Sequence, residues 1–243
     1  MQDSETHYET HLGPVYSWML GDRKAAFARG AAEIAALPLP LPARGVAVDL
    51  GAGLGLHTLA LAERGYDVLA LDNCQVLLDE LRSHAHSLSI VTQHADLLQF
   101  PSYLNGPAHV IVCMGDTLTH LSTPSSVESL LSKVAAALRH GGVFAATFRD
   151  YASRTLQGDQ RFILVRADDE RILTCFLEYG DTHVTVHDVL TEKDQGQWRQ
   201  KTSSYPKLRL APEWLVTRLT ESGFTVKRDA TPSGMVRVIA TLN

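Results

Sequence analysis

Short apolar segments alternate with helical segments through residues 46–148. Most of the apolar segments lack the polar alternation that is typical of a half-exposed strand. They are predicted as strands at residues 46–50, 68–71, 90–94, 108–115 and 143–148. The segments between them have the apolar period of helices, at residues 56–64, 75–83 and within 122–142. Strands of this kind that are separated by helices indicate a parallel sheet covered on both faces.

Cap residues predict where two of the helices begin and end. The alanine-rich segment 22–37 starts at Asp22, and aspartate is a common helix cap. In the helix that precedes the fifth strand, we expect Ser125 and Glu128 to form a capping box. We expect the glycine pair at 141–142 to end that helix.

The pattern changes after residue 150. Three strand-like segments follow one another with no room for helices between them, at residues 162–167, 171–179 and 183–190. Such a series predicts antiparallel hairpins. A helix at 212–222 and two strands joined by a tight turn come next, which predicts a further hairpin over 224–242.

Composition limits the class of protein and the class of partner. The chain has 243 residues, of which 45% are hydrophobic and 20% are charged, as expected for one ordinary soluble domain over residues 1–243. Its net charge is -5 and no basic stripe is evident, which argues against a nucleic-acid partner. No apolar run approaches the ~20 residues that span a bilayer, so we expect no membrane partner.

Cysteine usage and the N-terminal residues predict the compartment. The three cysteines are scattered and form no CxxC pair, which is typical of reduced thiols. The first ten residues are polar and lack the features of a signal peptide. We therefore expect a cytoplasmic protein, either a monomer or a homodimer.

A glycine-rich loop, "DLGAGLG" at residues 49–55, follows the first predicted strand. Position 56 is Leu where a dinucleotide-binding loop has its third glycine, and no Lys-Ser/Thr pair follows as in a P-loop. The carboxylate of Asp49 would repel a pyrophosphate but suits an ammonium group. S-adenosylmethionine carries an ammonium group beside a carboxylate, and that carboxylate can face the N-terminus of a helix.

Two more acidic residues follow the next two predicted strands. Asp72 lies about 20 residues beyond the loop, where an acidic side chain accepts hydrogen bonds from ribose hydroxyls. Asp96 follows the third strand and is expected to accept a hydrogen bond from the adenine amino group, with Leu97 packed on the ring. Because parallel sheets bind ligands at the carboxyl ends of their strands, these residues predict one binding edge.

The loop at 49–55, Asp72, Asp96 and the terminal hairpin resemble class I S-adenosylmethionine-dependent methyltransferases. The resemblance is close over 46–148 and looser over 212–242. It implies a Rossmann-like, doubly wound α/β fold with a seven-stranded sheet whose last strand is antiparallel. It also implies S-adenosyl-L-methionine as cofactor and S-adenosyl-L-homocysteine as product. The cofactor-binding residues expected on this basis are Asp49, Gly51, Ala52, Gly53, Asp72, Asn73, Asp96, Leu97, Met114, Gly115 and Asp116.

The segment at 114–121 refines the expected substrate class. It is similar to the segment after the fourth strand in glycine N-methyltransferase-like enzymes, which act on small molecules. It lacks the Asn/Asp-Pro-Pro-aromatic motif of DNA and RNA amino-methyltransferases. The sequence therefore favours methyl transfer to a small metabolite, at nitrogen rather than oxygen or sulfur. The alternatives are an RNA or protein methyltransferase and a non-catalytic S-adenosylmethionine-binding module; a NAD-dependent dehydrogenase is disfavoured by Asp49 and Leu56.

Catalytic side chains are expected near the ends of the fourth and fifth strands. Methyl transfer from a sulfonium is an in-line displacement, so the protein mainly orients the acceptor and excludes water. A general base helps only where the acceptor arrives protonated. His120 either serves there or bonds the loop backbone, and Arg149 either clamps a carboxylate or phosphate or pairs with a nearby acid. The catalytic candidates are His120, Arg149, Tyr151 and Tyr16.

Two further segments are expected to reach the substrate. Residues 1–40 are predicted as a helical, aromatic-rich lid over the core (46–150 and 212–243) or, alternatively, as a hydrophobic cap on the sheet. The antiparallel segment 152–211 is predicted to form a substrate pocket over the active site. Tyr205, Lys207 and Arg209 would share one face of an extended strand, lining the cleft or facing solvent. The substrate-binding candidates are Trp18, Arg149, Tyr205, Lys207 and Arg209, and no metal site is predicted.

Overall fold

The computed structural model describes residues 4–39 and 45–243. Residues 1–3 and 40, which belong to the predicted lid, lie outside the described residues. In the described ranges the strands are β1 Gly45–Leu50, β2 Tyr66–Asp72, β3 Ile90–His94, β4 Ala108–Cys113, β5 Leu138–Phe148, β6 Phe162–Ala167, β7 Arg171–Tyr179, β8 His183–Asp194, β9 Gln197–Leu208, β10 Phe224–Ala230 and β11 Val236–Leu242. The α-helices are α1 Ser4–His7, α2 Tyr16–Leu20, α3 Arg23–Ala35, α4 Leu56–Glu63, α5 Gln75–Ala85, α6 Pro124–Ala137 and α7 Pro212–Glu221.

Within the described residues, seven strands form the central sheet in the order β10-β11-β5-β4-β1-β2-β3. β1 pairs in parallel with β2 and β4, whereas β11 is antiparallel to both of its neighbours, β5 and β10. The predicted seven-stranded sheet with its antiparallel last strand is therefore confirmed. This order places the ends of β1 and β4 side by side, with β2 and β5 next to them.

The two faces of the sheet are buried by different helices. Val48 and Ile111 pack in a core cluster with leucines of α6 and α7. Their neighbours in sequence, Ala47 and Val110, point to the other face and pack with Ile34 of α3 and with α4. Because successive side chains of a strand point to opposite faces, both faces need apolar residues, which explains the apolar runs in the sequence.

The structure corrects the prediction for both ends of α6. The capping residue is Thr123, whose Oγ1 accepts a hydrogen bond from the backbone N–H of Ser126 at 3.1 Å, and not Ser125. The helix ends at Ala137, so that the glycine pair at 141–142 lies inside β5. The pairing register of β4 and β5 shifts at this glycine pair. Glycine is favoured at a strand irregularity as well as at a helix end, so the pair fits either role.

The inserted segment forms the predicted antiparallel sheet, in the order β6-β7-β8-β9 among the described residues. β8 is longer than the predicted strand at 183–190, and β9 was not among the three predicted strands. The two strands pair from His183↔Leu208 to Asp194↔Gln197. The inner face of this sheet buries Leu173 and Leu190 against Leu12 and Val15 of the N-terminal segment. The N-terminal segment and the inserted sheet therefore share a small core of their own.

The described residues, 4–39 and 45–243, lack membrane-spanning helices and clusters of metal-ligating side chains. None of their helices has the length and apolar character needed to cross a bilayer. Their histidine, cysteine, aspartate and glutamate side chains form no cluster of three or more that would hold a metal ion.

Candidate functional site

The glycine-rich loop after β1 turns tightly against the end of β2. The backbone N–H groups of Gly51 and Ala52 both donate to the carbonyl oxygen of Leu71 at 2.9 Å. Gly51 and Gly53 have φ angles of +76° and +53°, in the region that favours glycine. The loop backbone thus lies open at the ends of β1 and β2, where a ligand can approach it closely.

Asp72, at the end of β2, is bonded to the backbone of the glycine loop. Its Oδ2 accepts from the Gly53 N–H at 2.7 Å, and its Oδ1 accepts from the Cys74 N–H at 2.8 Å. Burial raises the pKa of Asp72 to about 6, although both backbone hydrogen bonds act in the opposite direction. The carboxyl group lies on the cavity wall, and its pKa is close to neutral pH.

Asp96 and Leu97 follow β3 on the same edge. The Oδ1 of Asp96 accepts from the Leu98 N–H at 2.7 Å and so caps a short 3₁₀ segment, Leu97–Tyr103. The rest of this carboxylate is exposed, and both residues line the same cavity as Asp72. Their positions agree with the predicted contact to an adenine ring, which stays a prediction.

Asp49 lies behind the loop instead of on the cavity wall formed by the described residues. It is buried, and its Oδ2 accepts a hydrogen bond from Oγ1 of Thr58 in α4 at 2.6 Å. Burial raises the pKa of this carboxyl group. The predicted direct contact between Asp49 and a ligand ammonium group therefore stays untested, and the structure gives Asp49 a role in holding the loop against α4.

The described residues enclose a cavity of about 330 Å³ at the carboxyl edge of the sheet. Its wall comes from the glycine loop, from the ends of β2, β3 and β4, and from the N-terminal segment. The predicted site residues on this wall are Gly51, Ala52, Gly53, Asp72, Asn73, Asp96, Leu97, Met114, Gly115, His120 and Tyr16. The wall residues that the sequence reasoning missed include Ser4, Glu5, Tyr8, Leu54, Leu56, His57, Leu77, Thr117 and Leu121.

Aromatic residues form a further part of the cavity wall. Tyr8 and Tyr16 line it from the N-terminal segment, and the Tyr8 hydroxyl lies 3.5 Å from Nε2 of His120. The His120 ring stacks on Tyr205 of β9, with ring centroids 5.6 Å apart. The aromatic character of residues 7–22 led to the prediction of Tyr16 as a site residue. The same character could have predicted Tyr8.

His120 is held in its neutral form. Burial and, next, the positive charge of Lys207 lower the pKa of the imidazole to about 3. Its Nδ1 is buried without a hydrogen-bond partner in the described part of the chain. A neutral imidazole on the cavity wall can accept a hydrogen bond from a ligand, whereas its low pKa makes it a weak base at physiological pH.

Asp116 is the centre of a buried polar cluster rather than part of the cavity wall. Its Oδ1 accepts from the Arg149 N–H at 2.8 Å, and its Oδ2 accepts from Nζ of Lys207 at 2.5 Å and from the Tyr151 hydroxyl at 3.2 Å. Burial alone would raise the pKa of Asp116, but Lys207 and Arg149 lower it below its usual value. Arg149 also pairs with Asp116 through Nη1 at 3.3 Å, and its side chain is 60% exposed.

The structure separates the substrate-binding candidates. Tyr205 and Lys207 are buried beside His120 and Asp116, so the solvent-facing alternative for this face of β9 is wrong for both of them. Arg209 instead donates to backbone carbonyls, among them that of Tyr151 at 3.0 Å. The cavity wall that the described residues form includes none of the five substrate-binding candidates, Trp18, Arg149, Tyr205, Lys207 and Arg209, nor the catalytic candidate Tyr151.

Trp18 packs on the inserted sheet. Its Nε1 donates to Oδ2 of Asp168 at 2.5 Å, and the guanidinium groups of Arg166 and Arg171 lie 5.5 Å and 5.8 Å from its ring. This aromatic residue therefore anchors the N-terminal segment at the β6–β7 turn. In the sequence, the apolar residues around Trp18 fit a substrate contact and a packing role equally well.

Comparison with known proteins gives one family and several relatives. Residues 47–142 match the methyltransferase domain family. A glycine/sarcosine N-methyltransferase from Parasynechococcus marenigrum (strain WH8102) is 29% identical over 113 residues, an alignment that covers 46% of this chain and 40% of the relative. The chain aligns with less than half the length of the curated relatives that it matches.

Solved structures match over almost the whole chain. DesVI of Streptomyces venezuelae has a TM-score of 0.78 at 18% identity and covers 97% of this chain and 100% of its own. CalS10, an amino pentose methyltransferase from Micromonospora echinaspora that was solved with bound S-adenosylmethionine, has a TM-score of 0.76 at 17% identity over 96% and 97% of the two chains. At these identities the likeness shows the fold, and it confirms the fold that the sequence predicted.

Proposed function

We propose that this chain is a class I S-adenosylmethionine-dependent methyltransferase that transfers a methyl group to a nitrogen atom of a small metabolite. The domain match over residues 47–142 and the fold support the class. The observation that carries the proposal is one cavity lined by the glycine loop with the Asp72 carboxylate and by aromatic side chains with the neutral imidazole of His120.

The cavity residues fit the cofactor. Glycine at position 51 lets the loop pack closely on Thr117 at the cavity wall, because a Cβ there would lie 2.3 Å from Cγ2 of that residue. Asp72, Asp96 and Leu97 line the cavity, which supports the proposal that Asp72 accepts the ribose hydroxyls and that Asp96 and Leu97 contact the adenine. When bound, S-adenosylmethionine supplies an electrophilic methyl carbon on a positively charged sulfur. The chain itself then has to orient the acceptor and exclude water.

The aromatic wall supplies the orienting groups. Tyr8 and Tyr16 line the cavity from the N-terminal segment, and the His120 ring contacts the rings of Tyr8 and Tyr205. An amine arrives largely as its ammonium form and has to lose a proton before it can attack. An imidazole with a pKa of about 3 is a weak base, so the proton is lost to solvent and the neutral His120 accepts a hydrogen bond that orients the amine.

Arg149 is the proposed contact for an anionic group of the acceptor. Part of its guanidinium group is paired with the buried carboxylate of Asp116, while the side chain as a whole remains 60% exposed. The planar donors that are not used by Asp116 suit a carboxylate or a phosphate. The cluster of Asp116, Lys207 and Arg149 carries one more positive than negative charge, which favours an anion there.

Two observations favour a small acceptor and a nitrogen atom. Four residues of the N-terminal segment, Ser4, Glu5, Tyr8 and Tyr16, line the cavity, whose volume of about 330 Å³ suits a small acceptor. The chain is similar over part of its length to a glycine/sarcosine N-methyltransferase, and it shares its fold with an amino pentose methyltransferase. The names of both proteins point to small amino compounds as acceptors.

The test has a binding step and a turnover step. The purified chain is titrated by calorimetry with S-adenosylmethionine, S-adenosylhomocysteine and NADH, and it is then incubated with methyl-labelled S-adenosylmethionine and panels of amino acids, amino sugars and simple amines. We expect micromolar binding of the first two ligands, no binding of NADH, and label transfer to at least one amine. The variant Asp72→Ala is the matched control and should lose both signals.

The outcomes separate the alternatives. Binding without transfer to any acceptor would favour a non-catalytic module, and transfer only to RNA or protein would favour a macromolecular substrate. Binding of NADH in place of the sulfonium ligand would refute the proposal altogether.

A further inference from the structure

The carboxylate of Asp116 is held from a second sheet. Nζ of Lys207, in β9 of the inserted sheet, lies 2.5 Å from Oδ2 of Asp116, which follows β4 of the central sheet. Both side chains are almost fully buried, at 6% and 1% exposure. We propose that Lys207 is a positioning residue: by binding Asp116 across the two sheets, it fixes the turn that carries His120 on the cavity wall.

The backbone of Asp116 needs such a partner. Its φ angle is +77°, a region that L side chains rarely adopt, and it precedes the 3₁₀ turn Thr117–His120. The carboxylate makes no capping hydrogen bond to that turn. Its hydrogen bonds go to Lys207, Arg149 and Tyr151 instead. The conformation that starts the His120 turn is therefore supported by side chains from outside the turn.

Strand β9 contacts this turn at two places. The ring of Tyr205 stacks on His120, and Lys207, two residues further along the same face, binds Asp116 at the start of the turn. Both ends of the short turn are thus held by one strand. A shift of β9 relative to β4 would move the imidazole with it, since a buried ion pair and a ring stack both depend on close geometry.

The charge of Lys207 also reaches His120. The groups that face the imidazole are Lys207 and Tyr205 from β9, Asp116 from its own turn, and His7 and Tyr8 from the N-terminal segment. After burial, Lys207 is the largest influence that lowers the pKa of His120, and Asp116 acts in the opposite direction. Loss of Lys207 alone should therefore raise the pKa of the imidazole. Loss of both partners should raise it less.

The experiment compares Lys207→Met, Lys207→Arg and the double variant Lys207→Met/Asp116→Asn with the parent chain. The imidazole signal of His120 is followed by NMR from pH 5 to pH 9 on histidine-labelled protein and is identified by its loss in His120→Gln. The affinity for S-adenosylhomocysteine is measured in parallel by calorimetry. The NMR readout does not depend on turnover, although the catalytic meaning of the inference rests on the proposed function.

In the parent chain and in Lys207→Arg we expect no titration of His120 above pH 5, and a titration near pH 3 when the NMR series is extended to that pH. In Lys207→Met we expect the titration to move upward by about one pH unit or more, and the acidic limb of kcat for the amine found in the screen should move with it. The double variant should show a smaller shift than Lys207→Met. Affinity for S-adenosylhomocysteine should stay within about threefold in all of them, because Asp72 and the glycine loop are untouched.

A folded Lys207→Met chain with an unchanged His120 signal and an unchanged kcat profile would overturn the inference. Should that variant fail to fold, the double variant decides. It removes the buried carboxylate of Asp116 together with the ammonium group of Lys207, and so it does not leave an unpaired carboxylate between the two sheets. A changed His120 environment and a kcat lowered by about tenfold then support the inference, and parental values of both overturn it. If the parent chain itself does not bind S-adenosylhomocysteine, the proposed function fails, and the NMR comparison still tests the positioning role.

Discussion

Oδ2 of Asp72 accepts a hydrogen bond from the backbone N–H of Gly53 at 2.7 Å, which joins the end of β2 to the loop that follows β1. The same carboxylate accepts from the N–H of Cys74 through Oδ1. One side chain thus orders the glycine loop and presents its remaining lone pairs to the cavity. Its charge, its geometry and its protonation state should all affect the binding of a nucleoside.

Asp72→Asn should lower the affinity for S-adenosylhomocysteine by about 10- to 100-fold. The amide keeps the size of the side chain but loses the charge, and hydrogen bonds to a charged acceptor contribute about 1.5–3 kcal/mol. Calorimetry measures the change, and Asp79→Asn in the exposed part of α5 serves as a control that should bind like the parent chain. Parental affinity in Asp72→Asn would contradict the site assignment.

The affinity for S-adenosylhomocysteine should decrease as the pH falls through about 6. The pKa of Asp72 is raised to about 6 by burial, and only the ionised carboxylate offers all its lone pairs to the ribose hydroxyls. Ligand binding should therefore release a proton below that pH and none well above it. Calorimetry from pH 5 to pH 8 in buffers of different ionisation enthalpy measures both effects. In Asp72→Asn the affinity should be nearly independent of pH over the same range.

Gly51→Ala should damage the site more than Gly65→Ala. Both glycines have positive φ angles, +76° and +90°, and an alanine in such a conformation costs about 1–2 kcal/mol. At position 51 the new Cβ would also lie 2.3 Å from Cγ2 of Thr117, while at position 65 nothing lies within 4 Å. Displacing Thr117 adds about 1–3 kcal/mol, typical of overpacking.

Urea unfolding measures the loss of stability in both glycine variants, and calorimetry measures their affinity for S-adenosylhomocysteine. We expect Gly65→Ala to bind like the parent chain and Gly51→Ala to bind at least about tenfold more weakly, because its backbone can no longer approach the ligand. Equal binding by the two variants would mean that the loop at Gly51 does not contact the cofactor.

Arg149→Gln should raise KM for an anionic amine by about 10- to 100-fold, which corresponds to the loss of one charge-assisted contact. Affinity for S-adenosylhomocysteine should change by less than about threefold, since Arg149 is not on the wall that carries Asp72. Steady-state kinetics with the amine found in the screen and with an uncharged analogue make the comparison. A KM that rises equally for both acceptors would assign Arg149 a structural role through its bond to Asp116.

Local sequence pattern was sufficient for the fold and for one half of the site. The strands of the central sheet and the glycine loop follow from apolar runs, caps and turn residues, all of which act over a few neighbouring positions. The glycine pair at 141–142 was misinterpreted because glycine serves helix ends and strand irregularities equally well. Only the pairing of β4 with β5 decides between these two roles.

The other half of the site depends on contacts between distant segments. Asp116 and Lys207 are 91 positions apart, and neither has a local pattern that predicts its partner. Lys207 and Tyr205 lie on one face of β9. The local alternation of residues assigns this face equally to solvent or to the interior. Contacts from other segments decide this question, because His7 of the N-terminal segment stacks on Tyr205 and Asp116 binds Lys207.

His7 is one of the contacts that hold the N-terminal segment on the inserted sheet. Its ring is fully buried, with Nδ1 2.7 Å from Oγ of Ser203 and Nε2 3.1 Å from Oδ2 of Asp188, and it stacks on Tyr205 at 4.0 Å. His7→Ala leaves the buried carboxylate of Asp188 without this neighbour and should lower the free energy of unfolding by about 1–3 kcal/mol. It should also release Tyr8 from the cavity wall.

Limited proteolysis with chymotrypsin, which cleaves after tyrosine and tryptophan, tests the release of this segment. In His7→Ala we expect faster cleavage at Tyr8, Tyr16 and Trp18 than in the parent chain, and faster dissociation of S-adenosylhomocysteine by stopped-flow measurement. Thr10→Ala, an exposed position on the same segment, is the control and should behave like the parent chain. If His7→Ala loses stability but keeps the parental cleavage and dissociation rates, the segment is a fixed part of the core, because its apolar contacts with Leu173 and Leu190 then suffice to hold it in place.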